Sequence, residues 1–92
     1  KTNFKRMLED LIGTRVAYLL DESLNILGKV PLSELSTTIK GLNSVFAIIF
    51  DGAVNQEIAQ IAEMANVKYL IGMDSQGRIE EANVEVLTSN DL

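Results

Sequence analysis

Six consecutive apolar residues, Val45, Phe46, Ala47, Ile48, Ile49 and Phe50, constrain this chain more than any other feature. A strand turns alternate side chains to opposite faces, so a run without a polar member leaves water only if both faces are covered. That is the place of a central strand in a parallel or mixed sheet with helices on either side. The alternation predicts Phe46, Ile48 and Phe50 on one face and Val45, Ala47 and Ile49 on the other, all in the core. Asp51 and Gly52 then end the strand.

The flanking segments supply the covering. Phe4, Met7, Leu8, Leu11 and Ile12 recur at helical spacing, with Thr2 or Asn3 as cap and Gly13 as the closing residue. Residues 14–20 read as a strand, 21–25 as a polar turn, and 26–30 as the second strand of a hairpin that Pro31 ends. Leu32, Leu35, Ile39 and Leu42 step along a short amphipathic helix to an exit at Gly41, Leu42 and Asn43. Val54, Ile58, Ile61, Ala62 and Ala65 form a further helical stripe ending at Asn66. Residues 68–72 make a fourth strand, 74–77 a turn, and 84–87 alternate like a half-exposed edge strand. The order α-β-β-α-β-α-β-(β) predicts one α/β domain over residues 1–92, with a mixed, mostly parallel sheet of four or five strands. Parallel pairing with right-handed crossovers is expected from residue 26 to residue 72, with the hairpin adding one antiparallel neighbour.

Composition narrows the chemistry. With no Cys there is no disulfide, thiolate nucleophile or zinc knuckle, and with no His there is no Ser-His-Asp triad or imidazole base. Eight Lys and Arg against thirteen Asp and Glu give a net charge of −5, the wrong sign for a domain that binds nucleic acid by itself. No apolar run approaches the ~20 residues of a membrane span, and no export signal opens the chain, so a cytoplasmic location is expected. The start at Lys1 rather than Met reads as a domain excised from a longer protein.

The candidate site is at the strand ends. Asp51, Gly52 and Asp74 fall at or just past the carboxyl ends of strands expected to be parallel, where open α/β sheets place their ligands. Two carboxylates on adjacent strands can hold one Mg²⁺ through oxygen. Asp before Gly is equally an ordinary connector, and Asp51 is equally placed to cap the next helix. The six glycines are scattered and form no phosphate-binding loop. Glu80, Glu81, Glu85 and Asp91 form an acidic end, read as a solvated tail or a docking surface for a basic partner. Lys1, Lys5 and Arg6 make the other end basic, countered nearby by Glu9 and Asp10. Val84 and Val86 mark the edge strand as a line along which a protein partner can dock.

In order and spacing, several blocks resemble the C-terminal domain of the archaeal DnaG-type primases. They are Gly13-Thr14, Leu20-Asp21-Glu22, Val30-Pro31-Leu32-Ser33-Glu34-Leu35, Phe50-Asp51-Gly52, Val67-Lys68-Tyr69-Leu70-Ile71-Gly72, and the closing Val86-Leu87-Thr88-Ser89-Asn90-Asp91-Leu92. The resemblance implies a parent that makes RNA primers on DNA and also serves the RNA-degrading exosome, where it helps bind adenine-rich RNA. In that family the catalytic carboxylates lie in a central Toprim domain: a Glu at one strand end and an Asp-x-Asp at another, holding Mg²⁺. Phe50-Asp51-Gly52 and Met73-Asp74-Ser75 match neither pattern, so no catalytic role or cofactor carries over to this fragment. After the fourth strand Asp74, Glu80 and Glu81 stand where the family tends to small and basic residues. The implied role is a non-catalytic accessory domain that self-associates or docks on exosome cap subunits, with RNA and DNA contacts left to other domains. The rival reading from the residues is a small free-standing α/β enzyme binding Mg²⁺ or an anion through Asp51 and Asp74.

Overall fold

A computed structural model describes residues 2–42, 44–77, 79 and 83–92. Lys1, Asn43, Glu80 and Glu81, which the basic end, a helix exit and the acidic end were expected to include, lie outside the described residues. Helix α1 (Thr2–Leu11) forms because Phe4, Leu8 and Leu11 bury one stripe. Ile12, expected on that stripe, is 65% exposed. The helix has ended by then: the Thr14 N–H and hydroxyl both donate to the Leu11 carbonyl, at 2.9 and 2.7 Å, and Gly13 takes φ +81°.

Strand β1 (Val16–Leu20) and strand β2 (Ile26–Pro31) make the expected hairpin, with Pro31 as the last residue of β2. A 3₁₀ turn at Leu32–Glu34 leads into helix α2 (Leu35–Lys40). Strand β3 (Ala47–Phe50) is buried at all four residues. A short strand β4 (Ala53–Val54), helix α3 (Gln56–Met64) and strand β5 (Tyr69–Gly72) follow. The chain closes with a short strand β6 (Asp74–Ser75), strand β7 (Glu85–Thr88) and a 3₁₀ turn at Ser89–Asp91.

The main sheet runs β2-β1-β3-β5-β7, antiparallel on the hairpin side and parallel at β3–β5 and β5–β7. The mixed α/β fold is the expected one, and β3 is its central strand. One detail differs: β2 pairs only with β1, because closing the hairpin leaves β1 between it and the parallel strands. On one face α2 and α3 cover Ala17, Leu19, Ile48, Phe50 and Leu70; on the other α1 covers Leu20, Ala47, Ile49 and Ile71. Phe46 departs from the predicted alternation. It precedes β3, is half-buried, and joins the α1 side, its ring 5.4 Å from Tyr69, while Val45 joins the side of Ile48 and Phe50.

A second difference lies beyond the strand ends. Asp51 and Gly52 end β3 as expected, but the chain only bends there: β4 follows at once and pairs in parallel with β6, Ala53 opposite Asp74 and Val54 opposite Ser75. The Met73 N–H donates to the Gly52 carbonyl at 2.8 Å and the Gln76 N–H to the Val54 carbonyl at 2.7 Å. Val54, expected on a helical stripe, is instead a fully buried strand residue. Gly72 permits the bend: a Cβ there would stand 2.7 Å from the Gly52 carbonyl oxygen and 2.8 Å from Val54 Cγ2.

Candidate functional site

The parallel strands β3 and β5 bring Asp51 and Asp74 to the same end of the sheet, one just past β3 and one in β6, beyond β5. Asp51 is half-buried. Its Oδ2 accepts the Arg15 N–H at 2.8 Å, and its own N–H donates to the Val16 carbonyl at 3.2 Å. Arg15 has φ +56°, a left-handed conformation that an ordinary side chain adopts at a cost. Asp51 therefore anchors the turn by which the chain leaves α1 and enters β1. It does not cap α3: Asn55 does, its Oδ1 accepting the Ile58 N–H at 2.9 Å.

Asp74 is exposed, and its Oδ1 accepts the N–H of the next residue, Ser75, at 2.8 Å. Strands β1 and β5 flank β3 on opposite sides, so the bonded oxygen of Asp51 is directed toward β1, away from the strand that carries Asp74. Gly52 contributes its carbonyl to the β4–β6 extension. Among the described residues no group of three acidic side chains is placed to hold a metal ion.

Val84 is buried and Val86 partly buried, both on the α2 and α3 side of the sheet, so their side chains already belong to the core. A partner at this edge would meet main chain instead. The Glu85 N–H donates inward to the Lys68 carbonyl at 2.8 Å, which leaves the main-chain N–H groups of Val86 and Thr88 facing outward. The Thr88 N–H is taken by Asp91 Oδ2 at 2.8 Å, with the Thr88 hydroxyl 3.2 Å from the same oxygen. Just before the strand, the Asn83 N–H donates to Glu63 Oε2 at 2.8 Å. The first of these fasteners was readable in advance, since Thr88 with Asp91 has the Ser/Thr-x-x-acid spacing of a capping box. The second was not, because Glu63 is twenty residues away from Asn83.

A second concave surface, which no motif announces, lies between α2 and α3. Among the described residues Lys40, Leu42, Ile61, Met64 and Ala65 line a cavity of about 250 Å³ there. No helix among the described residues is long and apolar enough to cross a membrane.

The chain is similar to proteins named DNA primase DnaG from several archaea. It is 36% identical to that of Methanothrix thermoacetophila over 89 residues, covering 94% of this chain and 20% of the relative. With that of Methanocella arvoryzae the identity is 32% over 90 residues, 96% of this chain and 19% of the relative. With that of Thermococcus gammatolerans it is 31% over 86 residues, 92% and 19%. The chain thus spans about a fifth of the length of the curated relatives it matches. No family model matches the chain, and no solved structure does.

Proposed function

The chain belongs to the DnaG-type DNA primases, as one small domain of such a protein, and from that premise we propose that it is a non-catalytic interaction domain. The observation that carries this reading is the engagement of Asp51. The carboxylate best placed for chemistry holds the backbone of a strained turn, which is a structural duty. In this reading the catalytic metal, Mg²⁺, and the nucleic-acid contacts belong to the rest of the parent protein, and this domain is C-terminal in it. The partner we propose is a protein: exosome cap subunits, or a second copy of the parent. The net charge of −5 supports a protein surface over a polyanion, since every phosphate contact asks for a nearby cation.

The test is a titration of the purified chain, at near-physiological salt, with exosome cap subunits and separately with adenine-rich RNA. Binding to the subunits without binding to RNA is the expected result. Micromolar RNA binding with a steep salt dependence, and none to the subunits, would overturn the reading. So would Mg²⁺-dependent nucleotidyl transfer by the chain that disappears in Asp51→Asn, the outcome favouring the strand-end enzyme.

A further inference from the structure

We propose that the groove between α2 and α3 receives a helical segment of a protein partner, apolar on the face it inserts and acidic at its flank. This rests on the interaction-domain reading and gives it a surface. The two sheet edges are poorly suited to the task. On the outer edge, β2 carries a bulge at Leu27, the residue left over where Leu19 pairs with Gly28 and Leu20 with Ile26, followed by Lys29 and Pro31. A bulge, a lysine and a proline are the devices by which edges refuse a further strand. On the other edge Asp91 occupies one of the two outward N–H groups of β7.

The groove has the opposite character. Met64, the last residue of α3, is 83% exposed, more than any other large apolar side chain among the described residues. Leu42, Ile61 and Ala65 continue its apolar surface inward, and a flexible thioether adapts to whatever packs beside it. The cavity, about 250 Å³, is smaller than the roughly 300–1,000 Å³ of small-molecule sites. It suits one or two apolar side chains better than a metabolite. It lies where α2 and α3 end: Ile61 and Met64, one turn apart on α3, form a ridge, with Lys40 at the end of α2 and with Leu42 and Ala65 just past the helices. A third helix can set anchors at i and i+3 or i+4 against that ridge.

Charge selects the flank. In a chain with thirteen acidic residues, no carboxylate is among the described residues lining this groove, and its one charged group is Lys40. An acidic side chain beside the inserted apolar ones meets the Lys40 cation there, whereas a basic one meets a like charge.

The probes are two synthetic helical peptides with leucines at i and i+4, identical except that one is flanked by Glu and the other by Lys. Titration of the chain carrying ¹³C-labelled methionine methyls distinguishes Met64 from Met7 and Met73. The Glu-flanked peptide is expected to shift the Met64 methyl alone and to bind roughly two- to fivefold more tightly than the Lys-flanked one, the size of one exposed ion pair. Lys40→Glu should reverse that preference, and Met64→Lys should abolish binding while the thermal melting temperature stays within a degree or two. Equal affinity for both peptides, no shift with either, or shifts centred on Met7 or Met73 would overturn the proposal. If Met64→Lys still binds a cap subunit as wild type does, the groove is excluded while the interaction-domain reading stands. Loss of all subunit binding in the wild-type chain defeats that reading alone.

Discussion

Asp51 reaches thirty-six residues back along the chain to hold the Arg15 N–H, and with its own N–H on the Val16 carbonyl this ties the end of β3 to the entrance of β1. Removing the acceptor orphans a backbone donor in a left-handed turn. Asp51→Ala is therefore expected to destabilise the chain by about 1 kcal/mol, the typical worth of such a bond, and Asp51→Asn by less, because an amide oxygen still accepts. Chemical denaturation of the three proteins measures the order. A metal site would behave differently: Mg²⁺ would raise the melting temperature of wild type and leave Asp51→Asn unmoved. Gly72 acts at the same scale, since the absence of one methyl group lets the Gly52 carbonyl close on β5.

Among the elements, the β1–β2 turn is held mainly by one side chain. Asp21 Oδ1 accepts the N–H groups of Ser23 and Asn25, each at 2.9 Å, and Oδ2 accepts from the Asn25 side chain at 3.3 Å. Leu24, at φ +65°, turns the chain back while its side chain packs half-buried against the α1 side of the core. The backbone bond from Asn25, aided by its side chain and by Ser23, holds the Asp21 carboxyl below its ordinary 3.8. A depressed carboxyl stabilises the fold when ionised, so its contribution is present at neutral pH and fades as pH falls through the folded-state value, below 3.8. The protection of the Ser23 and Asn25 amides against exchange, relative to their intrinsic rates, should fall on acidification through that range. In Asp21→Asn this acid step should be missing; an unchanged step would assign it to another carboxylate.

For the molecule as a whole, stability is concentrated where β3 runs between two helical layers. Phe50 is buried among α2, α3 and the bend, with its ring about 3.3 Å from where a Cβ on either Gly52 or Gly72 would stand. Phe50→Ala should cost about 3–5 kcal/mol, a large share of what a small domain has. Phe46→Ala removes a half-buried ring whose edge-to-face contact with Tyr69 is worth about 0.5–1.5 kcal/mol, so its loss should be distinctly smaller. Equal melting temperatures for the two variants would contradict this placement of β3.

Much of this was legible because it depends on local periodicity. The apolar run at residues 45–50 required a central strand, the helical stripes required covering layers, and Pro31 ended the hairpin, all from side-chain pattern alone. The paired candidates Asp51 and Asp74 were legible as positions at strand ends, but their hydrogen-bond partners were not. Arg15 directly precedes β1, the neighbour of β3, and nothing in the residue types at 15 and 51 encodes that register. The same limit hid the β4–β6 extension, which depends on Gly72 meeting Gly52 in space, and the α2–α3 groove, which exists only where two helices distant in sequence lie side by side. Sequence alone determined the three helices and the five strands of the main sheet, because those follow from neighbours three, four or two residues away. Tertiary structure decided which polar groups are already satisfied and which surface stays open, because both depend on what other segments bring within hydrogen-bonding or packing distance.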